Sequence, residues 1–283
     1  MNDLVNRAGG RLPAGHRFAC RAMGTTFGIL LSAASAGHGR RLASRAFEEL
    51  GRLERELSLF VTGSDVARIN RLRAGESLRV GAACCECLRI AAQVCAETGG
   101  CFDPTVGTPG GQGLLRLHED DNVVTVEGNG LVVDLGGIGK GYALDVMAEL
   151  LSDWDVPSAL LHGGESTVLP VGAAPADGWA AGLRSPKAEE ALSVVSLRER
   201  ALSGSASEAR GRHIIDPRTG GPAAGHAAAW ALARPAALAD ALSTAFVVMT
   251  DEEVEGYCAG HPDVAAAVLG EGEAALRRFG RWD

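Results

Sequence analysis

Apolar residues first recur at helical spacing between Gly39 and Phe60, where Phe47, Leu50, Leu53, Leu57 and Phe60 are separated by charged positions. That period predicts one long amphipathic helix. Further helices are expected from about Ala82 to Glu97, stopping at Thr98-Gly99-Gly100, from about Lys140 to Leu151, and from about Ala236 to Met249. His16 to Ser35 reads as extended, with a turn at Met23-Gly24-Thr25-Thr26. Asn122 to Leu135 reads as a β-hairpin, because two Val/Leu-rich stretches flank Glu127-Gly128-Asn129-Gly130 and Asn-Gly is a strong turn signal. Short strands are expected at 158–162, 167–171, 178–183, 193–198, 227–233 and 264–269. Strands come in clusters with helices inserted between them. This favours an α+β fold with a largely antiparallel or mixed sheet and packed helices over a strictly alternating arrangement. The Gly/Pro/Ala-rich stretches 172–177 and 218–226 read as loops rather than linkers, and no internal repeat is present. The expected organisation is a loose tail over 1–15 and one domain over 16–283.

Composition narrows the function classes. The 283 residues are 46% hydrophobic and 22% charged, as in an ordinary globular protein. A net charge of -8, lysine only at Lys140 and Lys187, and no long basic run argue against nucleic-acid binding. Seven cysteines, an odd number, do not make a complete disulfide framework. Cys84-Cys85-x-Cys87 lacks a second pair at zinc-like spacing and opens an apolar helical stretch, so it reads as buried thiols. Free thiols, no apolar run of membrane-spanning length and no apolar leader near Met1 lead to the expectation of a cytoplasmic chain without a membrane span.

Four segments carry candidate chemistry. In Asp240-Ala-Leu-Ser243-Thr244 the Asp and Thr stand one helical turn apart on one face. A carboxylate and a hydroxyl are hard oxygen donors suited to Mg²⁺, although such a pair more often caps a helix or faces solvent. Asp134-Leu-Gly136-Gly137-Ile-Gly139-Lys140-Gly141-Tyr142-Ala-Leu-Asp145 reads as strand, glycine turn and helix. Its backbone can approach a ligand closely, and Lys140 at the helix start favours an anion. A purely structural turn accounts for it equally well, and it matches neither GxGxxG nor the Walker A loop. His213-Ile214-Ile-Asp216-Pro217-Arg218-Thr-Gly220 contains a turn signature in which Asp216 and Arg218 read first as a turn-stabilising pair. Thr98-Gly-Gly-Cys101-Phe102-Asp103-Pro104-Thr-Val-Gly107 reads as a helix stop and a buried turn able to hold a planar ring.

In order and wording these segments resemble the ApbE family of FAD:protein FMN transferases. The others that match are Met23-Gly-Thr-Thr, Leu57-Ser-Leu-Phe60 with Ser64 to Asn70, Gly163-Gly164 and Ser203-Gly204, so the resemblance runs from about residue 20 to 270. DLGGIGKGYALD and HIIDPRTG are its most specific stretches. The resemblance implies a two-lobed, T-fold-related α+β domain. It implies that Met23, Phe60, Cys101, Phe102 and Asp103 line FAD, that Asp134 and Lys140 contact its polar parts, and that Ile214 packs near the ring or ribityl chain. It implies Mg²⁺ held by the Gly137 carbonyl, Asp240 and Thr244, with Ser243 where some members offer a further ligand.

The reaction so implied is transfer of FMN from FAD to a Ser or Thr hydroxyl of an acceptor protein, with AMP released. His213 is the candidate for taking the hydroxyl proton or positioning the hydroxyl. Alternatives are an FAD pyrophosphatase giving FMN and AMP, a non-catalytic FAD-binding protein, and self-modification within the Asp240 segment. The chain departs from the family where the Gly107–Asp134 stretch is short and lacks a Trp. Further departures are His162 in place of a common Asn, Ser205-Ala206-Ser207 in place of an aromatic, and Phe60 in place of a frequent Tyr.

Overall fold

The computed structural model describes residues 15–32, 35–106, 108, 110–184, 191–207 and 214–282. An eight-stranded sheet runs in the order β1 (His16–Ala22), β2 (Thr25–Leu31), β6 (Ser158–Gly163), β7 (Thr167–Gly172), β10 (Ala201–Ala206), β11 (Ala228–Ala233), β12 (Ala265–Leu269) and β13 (Arg277–Gly280). Every neighbouring pair is antiparallel. Two smaller sheets accompany it: β3 (Ser77–Arg79), β5 (Val123–Val126) and β4 (Leu115–His118) in one, β8 (Trp179–Leu183) and β9 (Ser193–Leu197) in the other. The edge strands β1 and β13 carry exposed Arg17, Arg21 and Arg278. Charge at a sheet edge discourages pairing with another chain.

The large sheet separates two apolar layers. On one face the helices α1 (Ala36–Leu57), α3 (Ala82–Glu97), α4 (Gly139–Asp153) and α5 (Ala236–Val248) bury Leu50, Leu53, Leu88, Leu144, Met147 and Phe246. On the other, β8 and β9 cover Leu160, Val168, Leu202, Trp230 and Ala267. The short helix α2 (Asp65–Ile69) starts from Ser64, whose hydroxyl accepts the Ala67 N–H at 2.9 Å. The helix α6 (Asp251–Gly260) opens with a capping box between Thr250 and Glu253, which satisfies two donors left over at the helix start.

α5 lies at the centre. Eleven of its residues are buried, including Asp240 and Ser243, as befits a helix enclosed on every side. The strand beneath it, β11, is alanine-rich and buried throughout. Alanine is a weak strand former, but its small side chain lets helix and sheet approach closely. α4 crosses α5 equally closely. A Cβ on Gly141 would lie 2.2 Å from the Ala236 carbonyl oxygen and 2.8 Å from the Ala237 Cα.

Most expected elements form within a residue or two of their expected limits, and α3 covers Ala82–Glu97 as anticipated. Two expectations fail. The first long helix ends at Leu57, so Phe60 lies beyond it, 91% exposed. The hairpin over Asn122–Leu135 does not form: β5 pairs with β3 and β4, and 131–135 is not a strand. That stretch finds other partners. The Asn70 side chain accepts from the Val133 N–H at 2.7 Å and donates to the Val133 carbonyl at 2.9 Å, while the Asp134 N–H bonds the Pro104 carbonyl at 2.7 Å. Tertiary acceptors replace the cross-strand ladder that the Asn-Gly turn would have closed. β3, β4, β10, β13, α2 and α6 had no expectation attached to them.

Gly141→Ala should destabilise the fold by about 1–3 kcal/mol, because the added methyl meets backbone atoms that move only if α4 and α5 part. Urea unfolding measures this, and a midpoint equal to the unsubstituted protein's would refute so close a crossing.

Candidate active-site cleft

A cleft of about 1150 Å³ opens between the α4–α5 face, the β1–β2 turn and the ends of β7 and β10. Its floor is organised by Asp240, 2% exposed on α5. Oδ1 accepts the hydroxyls of Thr167 at 3.2 Å and Ser203 at 3.1 Å. Oδ2 accepts the Gly141 N–H at 3.0 Å and the Lys140 ammonium at 3.2 Å. A buried carboxylate requires such company, since an unpaired charge is costly to bury. One turn on, the Thr244 hydroxyl meets that of Ser205 at 3.2 Å. Gly137 lies alongside: a Cβ there would stand 3.1 Å from Phe102 Cε2 and 3.5 Å from Thr244 Oγ1. A side chain there would have to press the Phe102 ring back by a few tenths of an ångström.

The walls come from the other motifs. Met23 adopts φ 49, a strained conformation for a side chain of its kind, and its N–H is received by Glu54 Oε1 at 2.6 Å. Phe60 stands at the rim, held by no core contact. Cys101 and Phe102 are buried against the cleft, and burial pushes the Cys101 thiol up to about 11, so it stays protonated at neutral pH. Asp103 and Asp134 line the cleft but each braces its own turn. Asp103 Oδ1 accepts from the Thr105 N–H at 2.7 Å and hydroxyl at 2.6 Å, and Asp134 Oδ1 from the Gly136 N–H at 2.8 Å.

The Asp216–Arg218 pair forms as expected. Asp216 Oδ1 receives the Arg218 N–H at 2.9 Å and Nε at 3.1 Å, and Arg218 reaches on to Glu253 at 2.7 Å. Burial alone would raise the Asp216 carboxyl, but the guanidinium and backbone N–H outweigh it and hold the group below the usual carboxylate range. The pair ties the loop carrying Ile214 and Pro217, both at the cleft, to the start of α6.

Met23, Phe60, Cys101, Phe102, Asp103, Asp134, Gly137, Lys140, Ile214, Asp240 and Thr244 therefore share one cleft. Ser243 does not line it. Fully buried, its hydroxyl donates to the Asp240 carbonyl at 2.8 Å and lies 2.8 Å from that of Ser205. His213 lies outside the described residues. Sequence reasoning did not find Glu54, Thr167 or Ser205 and assigned Ser203 no role. Ser203 stood out only as part of the matching Ser203-Gly204 segment and Ser205 only as a departure from the family pattern; their partners depend on the sheet register, which sets Ser203 opposite Thr167, and a helix 31 residues away brings Glu54 to Met23.

The donor set suits a hard cation. Among the described residues no group of three or more His, Cys, Asp or Glu is placed to hold a metal by itself. One carboxylate with a hydroxyl and a backbone carbonyl nonetheless fits Mg²⁺, which keeps waters and takes its remaining ligands from phosphates. Asp145, from the glycine-turn motif that contains Gly137, fixes the helix that presents Asp240 and Thr244. Its oxygens receive the Ala236 and Ala237 N–H groups at 2.8 Å each, capping α5 from α4.

The family model described as "ApbE family" matches residues 23–110 and 109–269. The FAD:protein FMN transferase of Rhodobacter capsulatus is 26% identical over 268 residues, 80% of this chain and 51% of that protein, so the chain spans about half the length of this curated relative. The ApbE protein of Thermotoga maritima superposes with a TM-score of 0.83 at 24% identity, covering 94% of this chain and 97% of that one. The flavin transferase ApbE of Vibrio cholerae gives 0.80 at 19%, with the same coverage. These two likenesses establish the α+β fold.

Burial pushes the Asp145 carboxyl up to about 6, against the pull of its two backbone donors. The native state then holds a proton that the unfolded chain has lost between the ordinary value of 3.8 and about 6, so this group's contribution to stability falls as pH rises through that window. The stability difference between the unsubstituted protein and Asp145→Asn, from urea unfolding at a series of pH values, should shrink across the window. A difference that grows would mean the backbone donors prevail.

Proposed function

The chain belongs to the ApbE family, and from that membership we propose that it is a Mg²⁺-dependent flavin transferase that splits FAD and attaches the FMN half to a Ser or Thr of another protein. The observation that carries this reading is that eleven residues implied by the family resemblance, drawn from segments far apart in the chain, line one cleft with a buried carboxylate and a lysine at its floor. The metal site and the residue roles below belong to the same proposal.

Asp240, Thr244 and the Gly137 carbonyl would hold Mg²⁺. Bound there, the ion would neutralise diphosphate charge and stabilise AMP as the leaving group. Lys140 offers a further positive charge to phosphate oxygens from the start of α4. Met23, Phe102 and Ile214 present apolar surface on which a flavin ring can lie, and Phe60 at the rim is placed to fold over it. The acceptor hydroxyl attacks the phosphorus on the FMN side. A phosphorus–oxygen bond to the acceptor forms, the bond to the AMP phosphate breaks, and the hydroxyl proton passes to a base, for which His213 is the candidate.

The test is incubation with FAD and Mg²⁺, with and without an acceptor carrying an Asp-Gly-x-Ser/Thr segment, following AMP and FMN by chromatography. AMP together with flavin fixed on the acceptor is the expected result. AMP with free FMN would make the protein a hydrolase, and tight FAD binding without AMP a binding protein. Asp240→Ala should reduce Mg²⁺-dependent turnover by at least about a hundredfold while some FAD binding persists. Undiminished turnover in that variant would remove the metal assignment.

A further inference from the structure

The Lys140 ammonium occupies a cation's place. It lies 3.2 Å from Asp240 Oδ2 and 3.2 Å from the Gly136 carbonyl oxygen, between a buried carboxylate and the backbone of the glycine turn. Its side chain is 24% exposed and borders the cleft, whereas that of Asp240 is 3% exposed. Among the described residues, it makes the single ion pair recorded for Asp240. The other three donors, Thr167, Ser203 and the Gly141 N–H, are neutral. The charge of the carboxylate is therefore balanced by Lys140.

We propose that Lys140 is an exchangeable counter-ion for Asp240: a divalent cation that binds Asp240 and Thr244 displaces the ammonium into the cleft, where it meets an anionic ligand. This inference rests on the metal reading above. A dication sharing the carboxylate with an ammonium in contact with it would repel that ammonium strongly at so buried a site. The neutral donors can stay, because they carry no charge to be repelled. The flexible four-carbon stem and partial exposure of Lys140 give it somewhere to go. Metal binding and anion binding then become coupled. The metal releases a positive charge that a diphosphate can use, and a diphosphate that draws Lys140 outward vacates Asp240 for the metal.

Chemical labelling of the unsubstituted protein tests this directly. Lysine occurs only at Lys140 and Lys187, so brief acetic anhydride treatment followed by peptide mass spectrometry reads Lys140 against an internal reference. Saturating Mg²⁺, without FAD, should raise the labelling of Lys140 several-fold relative to Lys187. Asp240→Asn should label at the raised level with or without the ion. Labelling that is unchanged or lowered by Mg²⁺ would overturn the exchange.

Mn²⁺ binding in the absence of FAD, followed by electron paramagnetic resonance, gives the second readout. Lys140→Met should bind at least about tenfold more tightly than the unsubstituted protein, with Lys140→Gln as the alternative if that variant folds poorly. Equal or weaker binding would overturn the proposal and leave the metal site standing. Binding retained by Asp240→Asn, or found in none of the proteins, would instead remove the metal site on which the proposal rests.

Discussion

A carboxylate sealed inside an apolar helix–sheet interface must be surrounded by donors, and this requirement organises the molecule. Asp240 is satisfied by groups from three other elements: Lys140 and Gly141 on α4, Thr167 on β7 and Ser203 on β10. The Lys140 and Gly141 contacts depend on how α4 crosses α5, and those of Thr167 and Ser203 on the register of β7 against β10. The glycine at 141 follows from the same constraint. Its N–H can reach Asp240 because the two helices meet backbone to backbone. The alanines of β11 let α5 settle onto the sheet at the depth where Thr167 and Ser203 lie within reach. Packing and polar satisfaction are thus one problem with one solution.

The motifs that stand out in the sequence mostly do structural work around that centre. Asp103, Asp134 and Asp216 brace turns, and Asp145 caps α5 from a neighbouring helix. Glu54 receives the N–H of the strained residue Met23. Each shapes the cleft wall by fixing backbone, leaving few side chains for chemistry: Asp240, Thr244 and Lys140 at the floor. The reading of Asp216 and Arg218 as a turn pair holds, and the pair extends further than the turn, since Arg218 also reaches Glu253 of the capping box.

Elements with a strong local period were legible in the sequence. α3 and α5 end where glycine or a change of pattern ends them, and most strands with Val/Leu-rich stretches appear close to their expected limits. The hairpin failed because the Asn-Gly signal describes a turn, and a turn does not guarantee that the chain beyond it finds the preceding strand a better partner than Asn70 and Pro104. Phe60 was read into a helix because it falls on the apolar period, yet the helix ends at Leu57 and the Phe60 N–H turns to the Ser58 hydroxyl. The cleft residues that carry motif signatures were recovered. That Thr167, Ser203 and Ser205 act as a group was not legible, although Ser203 and Ser205 were noticed singly, because a hydroxyl on a strand shows no partner until the sheet register sets it beside Asp240 or Thr244.

That register also explains why the cleft lies where it does. β7 and β10 pair at Leu202↔Val168 and Ser203↔Thr167, and the Gly204 N–H continues the same register by bonding the Ser166 carbonyl at 2.9 Å. The sheet is therefore joined at its centre by a short ladder. Ser203 and Thr167 face Asp240, while Leu202 and Val168 face the opposite apolar layer. An opening at the end of such a short ladder reaches both faces, and the cleft accordingly touches Leu202 and Trp230 as well as Asp240. The two hydroxyls that hold Asp240 Oδ1 thus come from the short stretch where β7 and β10 meet, which keeps the carboxylate buried yet bordering the cleft.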